Sequence, residues 1–196
     1  MPSVFTIGHS TQTSEAFMGL LHLHQVTAVV DVRSNPSSRW APQFNKNEIK
    51  ETLHKAGIIY AFLGDELGAH SKDKACQRDG RVQYSLLAAT DAFGIGLARV
   101  IEGAKRFKLA LCCVEKEPFD CHRTILIARH LIAAGVDVQH ILSDGTVESH
   151  EGTITRLLRQ LKISADSLFC PYEEIIADMY KRQEHHIAFR VKTASD

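Results

Sequence analysis

Apolar and polar positions alternate along the chain in two periods. Val4 to Ile7 is a short β-rich run ending at Gly8-His9-Ser10. Phe17, Leu20, Leu21 and His24 then recur at helical spacing, with Thr13 or Ser14 available as the cap. Val26 to Val32 is the clearest buried strand and ends at Asp31 and Arg33. SNPSSRWAPQ, with two prolines among small polar residues, is a loop. NKNEIKETLHKAG predicts a helix with Ile49, Leu53 and Ala56 inward and Gly57 as terminator. A third strand follows over Ile58 to Leu63. The polar stretch GDELGAHSKDKACQRDGRVQ is long enough to read as a lid or binding loop. Residues 85–104 predict one helix with Leu86, Phe93, Leu97, Val100 and Ile101 apolar; Gly94 and Gly96 weaken it or mark close packing. Leu109 to Val114 is a fourth strand, Thr124 to Ala134 a helix ended by Gly135, and Val136 to Leu142 a fifth strand.

Strand and helix patterns alternate over the first 142 residues, as in a mostly parallel sheet of about five strands with helices on both faces. The expected division is an α/β core over 1–142 and a helical C-terminal extension over 143–196. In the extension, Ile154, Leu157, Leu158 and Leu161 share one helical face, and Ile175, Ile176, Met179 and Tyr180 another. It packs on the core or on a partner.

Composition narrows this picture only slightly. The 196 residues are 44% hydrophobic and 23% charged, as in an ordinary water-soluble domain, and Lys+Arg balance Asp+Glu at 23 each. Net charge therefore favours neither nucleic acid nor membrane, although a local basic patch is compatible with it. MPSVFTIGHS lacks the basic and apolar regions of a signal peptide, and no apolar run is long enough for a membrane span. The five cysteines are odd in number and irregularly spaced, so a cytoplasmic chain with reduced thiols is expected.

The chemistry should lie beyond the carboxyl ends of the strands, where open parallel sheets bind ligands. His9 and Ser10, Asp31 and Arg33, and the segment from Glu115 to Cys121, His122 and Arg123 all fall at such ends. Their convergence depends on the α/β fold. Cys121-His122-Arg123 begins a helix, where cations are locally unfavourable. A bound anion would reverse that preference, and the same position would favour a Cys121 thiolate. Alternatively Arg123 ties to Glu115, Glu117 or Asp120. Adjacent Cys112 and Cys113 face opposite sides of their strand, and both read as core packing. A zinc site combining one of them with Cys121 and His122 is conceivable, but the spacing is not a paired CxxC. Arg39 and Trp40 suit a flat anionic ligand, or a loop anchored by the tryptophan. His185-His186 and Lys181-Arg182 read as a solvated helix face.

The segments TIGHST (6–11), VVDVRSNPSSRWAPQFN (29–45), LGDELGA (63–69) and CCVEKEPFDCHR (112–123) together resemble the family called domain of unknown function 488. LFCPYEEIIADMYKRQEHHIAFR is similar to the tail of its longer members. The resemblance implies a compact α/β domain of the prokaryotic cytoplasm without a settled reaction. It carries over His9, Ser10, Asp31, Arg33, Glu115, Cys121, His122 and Arg123. The chain departs from the pattern with Lys116 and Phe119, where a tryptophan often stands. VVDVR also resembles rhodanese-type domains, whose reactive cysteine loop does not match.

Three functions stay open. One is a hydrolase or transferase acting on a phosphate-bearing, nucleotide- or nucleic-acid-related substrate. In it Arg33, Arg39, Arg123 and Ser10 bind, and His9, Asp31, Glu115, Cys121 and His122 are the catalytic candidates. The second is a non-enzymatic module binding nucleic acid or a partner. The third is a thiol-dependent or sulfur-transfer enzyme. Expected partners are a small anionic ligand or a nucleic acid and a second copy of the chain; no membrane, cofactor or metal is expected.

Overall fold

The computed structural model describes residues 2–71, 73–164 and 170–191. Lys72 of the long polar segment, and Leu168 and Phe169 of the C-terminal motif, lie outside the described residues. The elements alternate as the pattern predicts: β1 (Ser3–Gly8), α1 (Ser14–Leu23), β2 (Ala28–Asp31), α2 (Lys46–Lys55) and β3 (Ile59–Phe62). The Thr13 side chain caps α1 by accepting from the Ala16 amide. In α2, Ile49 and Leu53 face inward, but Ala56 is the exposed C-cap because the helix ends a residue earlier than its apolar spacing suggests.

The long polar segment is not an open loop. It folds into α3 (Gly64–Leu67) and the hairpin β4 (Gln77–Arg78) and β5 (Arg81–Val82). The single helix expected over 85–104 is two, α4 (Tyr84–Ala88) and α5 (Asp91–Ala104). The break has a local cause, since Thr90 Oγ1 accepts from the Phe93 amide and starts a new helix. β6 (Leu109–Cys113) follows. A π-helical turn over Arg123–Ala128 then leads into α6 (Arg129–Ala133), where the pattern indicates one plain helix. β7 (Asp137–Ile141), β8 (Val147–Ser149), α7 (His150–Gln160) and α8 (Tyr172–Ile187) complete the chain.

Among the described residues the main sheet has the order β3-β2-β6-β1-β7-β8. The first five run parallel, and β8 pairs antiparallel with β7. β8 is the strand that the hydrophobic pattern does not signal: its three residues Val147-Glu-Ser149 carry no apolar run. Helices cover both faces. Phe17 and Leu21 of α1 and Ile49 and Leu53 of α2, with Phe44, bury Ile7, Val29, Ala110 and Cys112. Leu109, Leu111 and Cys113 pack on the other face against Phe93, Val100, Leu126 and Leu131, with α7 and α8 beyond.

The C-terminal helix docks on the core with Ile175, Met179 and Tyr180 buried. A polar chain crosses the apolar packing to reach it. Thr6 Oγ1 lies 2.7 Å from His140 Nδ1, His140 Nε2 3.2 Å from His150 Nδ1, and His150 Nε2 2.8 Å from the Tyr180 hydroxyl. Such a chain is satisfied in either direction when each ring carries one proton. No described helix is long and apolar enough to cross a membrane.

Candidate active site

The central strands β2, β6 and β1 are adjacent and parallel, so their carboxyl ends open on one edge. The chain beyond them stays in register: the His9 amide donates to the Cys113 carbonyl (3.0 Å), Ser10 to Val114 (2.8 Å) and Val32 to Cys112 (3.1 Å). Two buried polar clusters fill this edge.

The first joins His9, Asp31 and Arg33. Arg33 Nε donates to Asp31 Oδ1 at 2.8 Å and Nη2 to Oδ2 at 2.6 Å, a bidentate pair. Its Nη1 stands 3.0 Å from His9 Nε2. His9 Nδ1 reaches its neighbour's carbonyl, Ser10 O, at 2.8 Å. Nδ1 therefore carries the proton, and Nε2 accepts from the arginine. The ring stacks on Phe44 with centroids 4.3 Å apart. Burial, then the Arg33 charge, hold His9 down at about 4. Tyr60, which the sequence reading passes over, donates its hydroxyl to Asp31 Oδ2 at 2.8 Å. Every strong group here is matched by another within the protein.

The second cluster joins Cys113, Glu115, Cys121, His122 and Arg123. His122 Nε2 meets the Val32 carbonyl at 3.1 Å. That carbonyl can only accept, so Nε2 bears the proton and Nδ1 faces the sulfurs of Cys113 and Cys121, each 3.8 Å away. The Arg123 amide, the first of the π-helical turn, points at Cys121 Sγ at 3.5 Å. Burial pushes the Cys121 thiol up, but the Cys113 thiol, Arg123 and His122 together hold it well below its ordinary range. Cys113 is driven the other way, chiefly by its hydrogen bond to Cys121 and then by burial. The Arg123 amide and charge at this helix start thus favour negative charge on Cys121 Sγ.

Glu115 stands beside both sulfurs, and burial, then the Cys121 charge, raise its carboxyl. Its Oε2 is buried without a hydrogen-bond partner, although the residue as a whole is only half-buried. The Arg123 guanidinium is fully buried. Its Nη1 donates to the Glu115 carbonyl at 2.8 Å and its Nη2 to that of Lys116 at 3.4 Å, so it pins the turn between β6 and the helix. Gly8 makes this approach possible, since a Cβ there would stand 1.8 Å from the Glu115 carbonyl oxygen.

His9, Asp31 and Arg33 thus meet in one cluster and Glu115, Cys121, His122 and Arg123 in the other. Ser10 lies beside them in a left-handed backbone conformation (φ 47°). Arg39 does not join either cluster; it is exposed on the loop after β2. Trp40 does not anchor that loop, being 84% exposed, and Ala41 and Phe44 are buried in its place. Phe119 is buried under the Arg156 guanidinium, 4.6 Å from its centroid. Cys113, read mainly as packing and only as a weakly signalled zinc ligand, is the main residue missing from the catalytic candidates. The signal was its spacing from Glu115: residues two apart at a strand end face the same way. Cys113, Cys121 and His122 could also hold a metal ion, since their donor atoms lie within 4.8 Å of one another.

Fold and site together define a mostly parallel α/β protein with a thiol–imidazole–carboxyl cluster at the tips of its central strands. The profile of the family described as Domain of unknown function DUF488 matches residues 13–130, and the chain belongs to that family. The match spans Asp31, Arg33 and the second cluster but not His9, Ser10, α7 or α8. No curated protein matches the chain in sequence.

Proposed function

We propose that the chain is an enzyme of the hydrolase or transferase class, with the Cys113–Cys121–His122 cluster as its centre and Glu115 as its proton-transfer group. One observation carries this reading: Glu115 Oε2 is buried beside two sulfurs with no partner, in a residue that still reaches the rim. A structural carboxylate is saturated, as Asp31 is by Arg33 and Tyr60. A general acid–base group must keep a lone pair for the proton it moves. A phosphate-bearing, nucleotide-like substrate fits the loop leaving Arg33, where a cation and a flat ring, Arg39 and Trp40, are exposed neighbours in sequence. Arg33 and Arg123 support the rim from within, Arg33 through Asp31 and Arg123 through loop carbonyls held by its two terminal nitrogens, its buried Nε making no hydrogen bond. A reducing cytoplasm suits five free thiols, one of them held well below its ordinary pKa by its neighbours.

The test is a turnover screen of the purified chain against phosphoesters, nucleosides and nucleotides. Glu115→Gln should lower kcat by about 10²–10⁴ while the far-UV spectrum and melting profile stay intact. Unchanged turnover in that variant removes the reading. Retention of DNA or RNA without turnover, weakening steeply with salt, would point to a binding module.

A second reading, a thiol or sulfur-transfer enzyme, is favoured by the Arg123 amide and His122 Nδ1 both directed at Cys121 Sγ. Turnover that survives Cys121→Ser excludes it.

A further inference from the structure

We infer that Cys113, Cys121 and His122 form a binding site for a borderline-soft divalent cation of the zinc type, with Glu115 beside its fourth coordination position. The catalytic use of that ion rests on the function proposed above; the binding itself does not.

Three observations point the same way. The first is spacing. With Zn–S of about 2.3 Å and Zn–N of about 2.0–2.1 Å, tetrahedral ligands place sulfur and nitrogen about 3.6 Å apart. His122 Nδ1 stands 3.8 Å from each sulfur, close to two edges of such a polyhedron, and all three donors lie within 4.8 Å of one another. The second is the orientation of the imidazole. A metal-binding histidine commonly donates its other N–H to a carbonyl or carboxylate, which fixes the ligating nitrogen. His122 Nε2 on the Val32 carbonyl does this and aims Nδ1 at the sulfurs. The third is the carboxyl group. Glu115 Oε2 is buried and makes no hydrogen bond of ordinary geometry, while the Cys113 and Cys121 thiols both act on its carboxyl. Its carboxyl stands outside the three-donor set, so its place is to take the proton of a water held there.

Charge agrees. Two thiolates neutralise the ion, and the Glu115 carboxylate offsets the buried Arg123 guanidinium, whose donors face the Glu115 and Lys116 carbonyls. Binding releases to solvent the proton of Cys113 and any proton on His122 Nδ1. Cys112, the other strand cysteine, packs in the opposite core and takes no part. Three protein ligands with one position left for water or substrate is the pattern of catalytic rather than structural zinc.

The experiment uses the full chain, purified with reductant and without chelator, and elemental analysis for bound metal. The expected result is stoichiometric zinc, lost in Cys121→Ser and Cys113→Ser and retained in Cys170→Ser. Because the two core substitutions could impair folding, the wild-type chain is also stripped and titrated with cobalt(II). Saturation at one equivalent, with a thiolate-to-cobalt charge-transfer band and intense visible bands of tetrahedral coordination, supports the site. No zinc, and no thiolate-to-cobalt band in the reduced stripped chain, overturns it. Zinc bound with no turnover on any substrate class supports the site and counts against the enzyme reading. Glu115-dependent turnover that persists in the stripped chain, with no metal taken up, overturns the site and leaves that reading standing.

Discussion

At the scale of single residues, the edge of the sheet is governed by how closely backbone segments approach. Gly8 ends β1 directly under the turn that follows β6. A methyl group there would lie 1.8 Å from a backbone oxygen that the Arg123 guanidinium holds in place. Neither side can yield as a flexible side chain would. Gly8→Ala should therefore cost at least about 3 kcal/mol, the upper end of overpacking penalties. It should also displace Glu115. Urea unfolding monitored by circular dichroism checks the first point. A cost below about 1 kcal/mol would show that the turn relaxes freely. What the sequence reveals at this scale is uneven. Asp31 and Arg33, charged at the end of an apolar strand, announce themselves. Tyr60 and Cys113 look like ordinary strand residues, because their roles depend on a neighbouring strand or a later loop that no local pattern encodes.

At the scale of elements, periodicity located most strands and helices to within a few residues, and the exceptions have local causes. The long apolar pattern over 85–104 spans a break because both α4 and α5 bury their apolar side on the same layer. Only the hydroxyl of Thr90 marks the discontinuity, accepting from Phe93 at 3.2 Å and donating to the Leu87 carbonyl at 2.7 Å. Thr90→Ala should destabilise the chain by about 1 kcal/mol, the usual worth of an N-cap. Thr90→Ser should recover most of it. Equal loss in both variants, read from denaturation midpoints, would mean that the methyl group matters and the cap does not. The π-helical turn over Arg123–Ala128 is likewise invisible to apolar spacing, since all six residues are buried and no face stands out. Turns of this kind often mark functional sites, and this one begins where the Arg123 amide meets Cys121.

At the scale of the whole molecule, the Thr6–His140–His150–Tyr180 chain joins the sheet to the C-terminal helices and makes their union sensitive to acid. Burial holds His150 at about 4, and burial with the His150 charge holds His140 well below its ordinary value. Arg123 and Arg156 add to the field against a proton on His140. The unfolded chain, with histidine near 6.5, then binds more protons than the folded one between about pH 6.5 and about pH 4. This contribution is full above that window and is lost as pH falls through it, by about 1.4 kcal/mol per pH unit for each histidine. A second proton on both rings at once would set the N–H groups of His140 Nε2 and His150 Nδ1 against each other. Urea midpoints followed across the window, with chelator present, should fall steeply in the wild-type chain and less so in His150→Gln. Parallel slopes would show that this pair does not control acid stability.

The same helix reaches the chemistry by another route. Gln183 of α8 is buried, and its Nε2 donates to the Phe119 carbonyl at 2.9 Å and to Asp120 Oδ1 at 3.0 Å, immediately before Cys121. Residues 118–120 form a single short helical turn with little internal support of its own. α8 is therefore a splint for the approach to Cys121. A chain cut short before Tyr172 would keep Cys113, Glu115, Cys121 and His122, yet the peptide that aims Cys121 would lose its outer brace.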